Sequence, residues 1–96
     1  MISQETVKLL RKDILEIAAR HGARDVRVFG SVARGDQRED SDLDLLVRFD
    51  PDRSLLDHGG LVVDLEELLG IPVDVVSENG MRERFQERVA KEAIPL

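Results

Sequence analysis

The sequence has no cysteine, no tryptophan and no tyrosine, and its three phenylalanines are its only benzenoid rings. Without cysteine, disulfides and thiolate-held metals are excluded. Any bound ion must be held by oxygen or by one of the two histidines, His21 and His58. Three phenylalanines supply no platform for stacking bases. Basic charge is also scarce: 14 Lys and Arg stand against 20 Asp and Glu, for a net charge of −6 and a pI near 4.8. A chain of that sign is repelled by phosphate backbones, so direct nucleic-acid binding is not expected. The apolar runs are only a few residues long, against the roughly 20 needed to cross a bilayer. The opening MISQETVKLL lacks the basic and apolar blocks of a secretory leader, which makes the cytoplasm the expected compartment and excludes a membrane partner. A length of 96 residues predicts one domain over 1–96, large enough for a core of its own.

What is present is a regular alternation of elements. Residues 4–20 read as a helix capped by Ser3, with Val7, Leu10, Ile14, Ile17 and Ala18 on one face and Gly22 as its stop. DVRVF (25–29) reads as a strand and 31–35 as a turn of helix broken by Gly35. In a second strand, 42–49, alternation puts Leu43, Leu45, Val47 and Phe49 on one face and Asp42, Asp44 and Leu46 on the other. A helix over 55–69 follows, although Gly59 and Gly60 argue for a start nearer Gly60, since each costs about 1 kcal/mol against Ala in a helix interior. IPVDVVS (71–77) is a third strand, and a last helix is expected from about Met81 to Ala93, stopped by Pro95. This order predicts an α/β (α+β) domain, a small mixed β-sheet flanked by helices. The middle helix suits a parallel crossover between strands two and three, and the short link before it permits an antiparallel pair.

The chemistry concentrates in GSVARGDQREDSDLDLLV (30–47). Asp42 and Asp44 sit two apart on a strand, so both face the same way with Cα atoms roughly 6.5 Å apart. Two close carboxylates repel, and one tends to take up a proton. A hard divalent cation removes that conflict: Mg²⁺ takes oxygen ligands at about 2.0–2.1 Å and keeps positions for water and phosphate. A pair of such ions about 3.5–4 Å apart fits carboxylates at this spacing. Asp74 interrupts an otherwise apolar strand, where a buried unpaired acid would cost several kcal/mol. If that strand lies beside the second, Asp74 joins the other two. Gly30 allows close backbone approach, and Ser31 offers a hydroxyl and an N–H at a helix start, where anions are favoured. Arg34, one turn on, can reach the same phosphate chain. Ser41 could cap or orient the loop.

Together, Gly30-Ser31, a ten-residue gap, Asp42-x-Asp44 and a later Asp74 resemble the signature of the DNA polymerase β-type nucleotidyltransferase superfamily. The small size, Arg34-Gly35, LDHGGLVVDLEELLGIPVDVV and the closing KEAIPL narrow the likeness to the minimal nucleotidyltransferases, the MNT antitoxins paired with HEPN-domain toxins. The resemblance implies the polymerase β-like fold and two Mg²⁺ ions held by Asp42, Asp44 and Asp74. It implies ATP bound with the help of Gly30, Ser31 and Arg34, and Asp74 as base on an acceptor hydroxyl. For this class the acceptor is expected to be a tyrosine of a partner HEPN toxin, which is adenylylated and silenced. The alternative is an antitoxin that neutralises its partner by binding alone. A small-molecule or RNA-end acceptor is a third reading, disfavoured by the acidic charge and the lack of an added domain.

Plainer readings remain for single residues. Asp42 and Asp44 on their own would pass for solvent-facing acids at a strand start. Arg34 could simply pair with Asp36 or Glu39, and Arg38 and Arg48 read as surface residues. His21 suits a helix C-terminus, and His58 reads as a solvated or capping histidine. Asp64, Glu66 and Glu67 read as a solvated helix face, and Met81, Phe85 and Val89 as core.

Overall fold

The computed structural model describes residues 2–36, 42–80 and 83–96. Arg38, Glu39, Ser41 and Met81, to which the sequence assigns surface, loop or core roles, lie outside the described residues. Helix α1 (Gln4–Leu9) begins where Ser3 accepts the Thr6 N–H at 3.2 Å. The single helix expected over 4–20 is in fact two, because Leu10 adopts the bridge conformation (φ −97°, ψ 7°) before α2 (Arg11–Arg20). With that break, α1 reaches α3 (Gly30–Arg34), and Gln4 Nε2 donates to the carbonyls of Val32 and Ala33 at 3.1 and 2.9 Å. Those are carbonyls that a short helix cannot satisfy itself.

Strand β1 (Ala23–Phe29) starts two residues earlier than its apolar alternation suggests. Asp25, at φ 51°, makes a bulge where pairing with β2 shifts register between Arg24 and Arg27. Strand β2 (Leu43–Phe49) pairs antiparallel with β1 and parallel with β3 (Val73–Ser77). A strand absent from the sequence reading, β4 (Ile94–Pro95), pairs antiparallel with β1 at the other edge and completes the order β3-β2-β1-β4. Two residues, one of them proline, carry no alternation to read; the pairing comes from the neighbouring strand, and the Leu96 N–H extends it by donating to Val26 O at 2.9 Å.

One face of the sheet carries the core. Val28, Leu45, Val47, Val73 and Val75 pack with Ile14, Ile17 and Ala18 of α2 and with Leu61 and Leu65 of α4 (Leu55–Leu69). The glycine pair does not delay α4. Ser54 and Asp57 form a capping box: Ser54 Oγ accepts the Leu56 N–H at 3.2 Å and Asp57 accepts the Ser54 N–H at 3.0 Å. Gly60 instead makes room, since a Cβ there would lie 2.8 Å from His21 Cε1. Ser54→Ala should lower stability by about 1 kcal/mol, read as a lower denaturation midpoint in urea at unchanged slope.

The polar face of α4 is not simply solvated. Asp64 meets His21 Nε2 at 2.7 Å. Glu66 accepts the Val73 N–H at 3.0 Å, and His58 Nε2 donates to the Val75 carbonyl at 2.7 Å. Glu66 and His58 thereby satisfy backbone groups of β3, an edge strand whose outer groups have no strand partner. Helix α5 (Glu83–Glu92) crosses near α3 and buries Val89, but Phe85 is 46% exposed and not in the core. Among the described residues no helix is long and apolar enough to cross a membrane.

Candidate active site

The acids gather on the sheet face opposite the core cluster. In the parallel register Leu43 pairs with Val73, Asp44 with Asp74 and Leu45 with Val75. Leu43, Leu45, Val73 and Val75 are buried in the core, so period-two alternation sends Asp44 and Asp74 together to the other side. Asp42 lies one residue before β2 and is exposed. Asp74 is exposed as well, so it faces water and does not carry the cost that a buried unpaired acid would in an apolar strand.

Asp44 is the innermost of the three. Partial burial, then the charges of Asp74 and Asp42, raise its pKa above the usual carboxylate value, while the Arg34 guanidinium pulls it down. The acids share a face without closing on one another: among the described residues no three His, Asp or Glu side chains are gathered tightly enough to hold an ion as they stand. The donor set fits a hard cation, since it consists of carboxylate oxygens, one of which is pushed towards protonation first by burial and then by the charges of the other two.

Gly30 abuts this cluster. It sits at φ +73°, where L side chains are strained, and a Cβ there would overlap Asp44 Oδ2. Phe29, just before it, pairs with Asp44 across the β1–β2 ladder, which is how the Gly30-Ser31 corner comes to rest beside the acids. Ser31 is half-buried in the first turn of α3, and Gly35 ends that helix at φ +78°. The Arg34 guanidinium is engaged by Asp36, at 3.2 Å from Nε, and by Glu92 of α5. Those two carboxylates, Asp36 first, hold its proton more firmly than usual. The sequence foresaw Asp36. Glu92 lies 58 residues away on another helix, and no local pattern signals it.

Further along the same face, Glu78 accepts from Arg27 at 2.8 Å and from Arg48 at 3.0 Å. The Arg27 bond, with Arg48 behind it, holds the Glu78 carboxyl below its usual value. An apolar cavity of about 300 Å³ opens elsewhere, between α1, β1 and β4, and touches none of the three acids.

Residues 8–96 match the family model of the nucleotidyltransferase domain. The chain belongs to that family. This nucleotidyltransferase is 37% identical over 91 residues to protein adenylyltransferase MntA of Thermococcus cleftensis, covering 95% of this chain and 92% of the relative. It superposes with a TM-score of 0.90 on a solved structure assigned as a minimal nucleotidyltransferase, at 58% identity over 99% of this chain and 97% of the other. A chain from the complex of a tri-AMPylated Shewanella oneidensis HEPN toxin with an MNT antitoxin shares the fold, with a TM-score of 0.70 and 17% identity over 92% and 69% of the two chains. The nucleotidyltransferase fold expected from the sequence is the fold observed, and the protein is an enzyme whose substrate is a nucleotide.

Proposed function

We propose that this nucleotidyltransferase moves AMP from ATP to a hydroxyl of a partner HEPN-domain toxin, a tyrosine hydroxyl, and so acts as an antitoxin. The relative named a protein adenylyltransferase and the structural neighbour found with an AMPylated HEPN toxin support the reading. The observation that carries it is the side-by-side register of Asp44 and Asp74, with Gly30 packed against the Asp44 carboxylate.

Asp42, Asp44 and Asp74 are the residues that would hold two Mg²⁺ ions. When bound, such ions neutralise charge on the triphosphate and on departing pyrophosphate, the larger part of the catalytic task in this chemistry. The chain does the rest. Gly30, lacking a side chain, leaves the triphosphate free access to the Asp44 carboxylate. The Ser31 hydroxyl donates to a phosphate oxygen. Arg34 supplies the nearby cation, and its charge already reaches Asp44. Asp74 takes the proton of the acceptor hydroxyl as that oxygen bonds to the α-phosphorus. The bond from the α-phosphorus to the bridging oxygen breaks, and pyrophosphate leaves with its electron pair.

Incubating the co-expressed partner with ATP, Mg²⁺ and this protein should add mass in whole AMP units, read by intact mass spectrometry. The Asp42→Asn, Asp44→Asn double variant should add none and should fail to protect cells. Protection equal to wild type by the folded, partner-bound double variant would reject transfer as the means of neutralisation and leave binding alone in its place.

A further inference from the structure

Alternate residues of a strand point their backbone groups to opposite edges. Those of Val73 and Val75 point away from β2, towards α4, and there Glu66 takes the Val73 N–H at 3.0 Å while His58 donates to the Val75 carbonyl at 2.7 Å. Between these two anchors sits Asp74, whose backbone faces β2 and whose side chain leaves the sheet on the Asp44 side. On a protein edge strand, such groups usually meet water. Here two ionisable side chains of one helix, about two turns apart, are spent on them. His58 is further fixed by its ring contact with Phe49 at 5.4 Å between centroids, and α4 itself is anchored at its start by the capping box and along its length by Asp64 on His21.

We infer that Glu66 and His58 are positioning residues for Asp74: they tie the N–H of Val73 and the carbonyl of Val75, the residues on either side of it, to α4 and so fix its carboxylate beside Asp44. The inference rests on the proposed role of Asp74 in holding cation and taking the acceptor proton. A carboxylate on an edge strand of five residues would otherwise move with every fluctuation of that edge, and a misplacement of about 1 Å costs about 10²-fold in rate. Residues that orient metal-holding groups typically contribute about 10–100-fold to metal affinity or activity. Both bond the β3 backbone and not the carboxylates themselves.

The test uses paired variants. Glu66→Ala and His58→Phe remove one anchor each, and the phenylalanine keeps the ring against Phe49. Glu66→Gln keeps an acceptor for the Val73 N–H, and His58→Gln keeps a donor for the Val75 carbonyl. The first pair should lower kcat by about 10-fold or more, raise the Mg²⁺ concentration that half-saturates a thermal shift measured without nucleotide, and speed amide exchange in β3, at Val73 in Glu66→Ala and at Val76, whose peptide carries the Val75 carbonyl, in His58→Phe. The second pair should restore all three. In an Asp74→Asn background, Glu66→Ala should leave the residual rate unchanged. A further fall there, or equal loss in the rescue variants, would overturn positioning in favour of general destabilisation. An Asp74→Asn protein as active as wild type would instead reject the role of Asp74 itself, an outcome separate from any behaviour of the clamp.

Discussion

Asp44→Asn should cut nucleotidyl transfer by about 10²–10³-fold while raising the melting temperature of the metal-free protein. Asn removes the charge of the innermost acid, and the loss of one preorganised electrostatic partner at a reacting centre lowers kcat by about 10²–10³-fold. The same charge is a burden to the empty fold, because burial, Asp74 and Asp42 all raise the Asp44 pKa. A carboxylate whose pKa is higher folded than unfolded binds its proton more tightly in the folded state. Stability is then greatest below the unfolded value and declines as pH rises through the window up to the raised folded value. Asn has no such window. The variant's advantage should therefore open as pH climbs out of the acid range and be constant by neutrality. For a domain of this size each 1 kcal/mol moves Tm by about 4–8 °C, so a fraction of that is readable by calorimetry. Mg²⁺ should raise the wild-type Tm and shift that of the variant much less. A variant that melts lower than wild type at neutral pH without metal would contradict the repulsion on which this rests.

Gly30→Ala should cost both stability and activity. Two costs coincide there. The left-handed φ of +73° costs a side chain about 1–2 kcal/mol, and the new methyl overlaps Asp44 Oδ2. Either Asp44 swings away or the corner opens, and both should cut activity by about 10²-fold. Gly35→Ala separates the two effects. Its φ is +78° but nothing lies within 4 Å of its would-be Cβ. It should lose only the dihedral cost, about 1–2 kcal/mol in urea titrations, and keep most of its activity. If Gly35→Ala lost as much activity as Gly30→Ala, the contact with Asp44 would not be the reason for glycine at position 30.

The faces that Asp44 and Asp74 occupy were legible because strand geometry is short-range. Period two places Asp44 opposite Leu43 and Leu45, and apolar neighbours on either side of Asp74 do the same for β3. The Gly-Ser corner was legible because glycine after a β-run marks unusual backbone. The α4 start was misjudged because two glycines carry a real propensity cost, and the capping box with the His21 contact outweighs it. Glu66, Asp64 and His58 read as solvent-facing, since three polar residues on a helix surface have no local partner. Their partners, Val73, His21 and Val75, are supplied by other elements.

By itself the sequence determined which residues could do chemistry and which face of each element they occupy, because alternation, caps and glycine dihedrals are properties of a few consecutive residues. Tertiary structure alone decided that Asp74 pairs in register with Asp44, that Glu92 engages Arg34, that Ile94-Pro95 closes the sheet, and that α4 grips the edge strand. Each of these joins segments far apart in the chain, and such contacts form only when packing of the shared apolar core has brought the segments together.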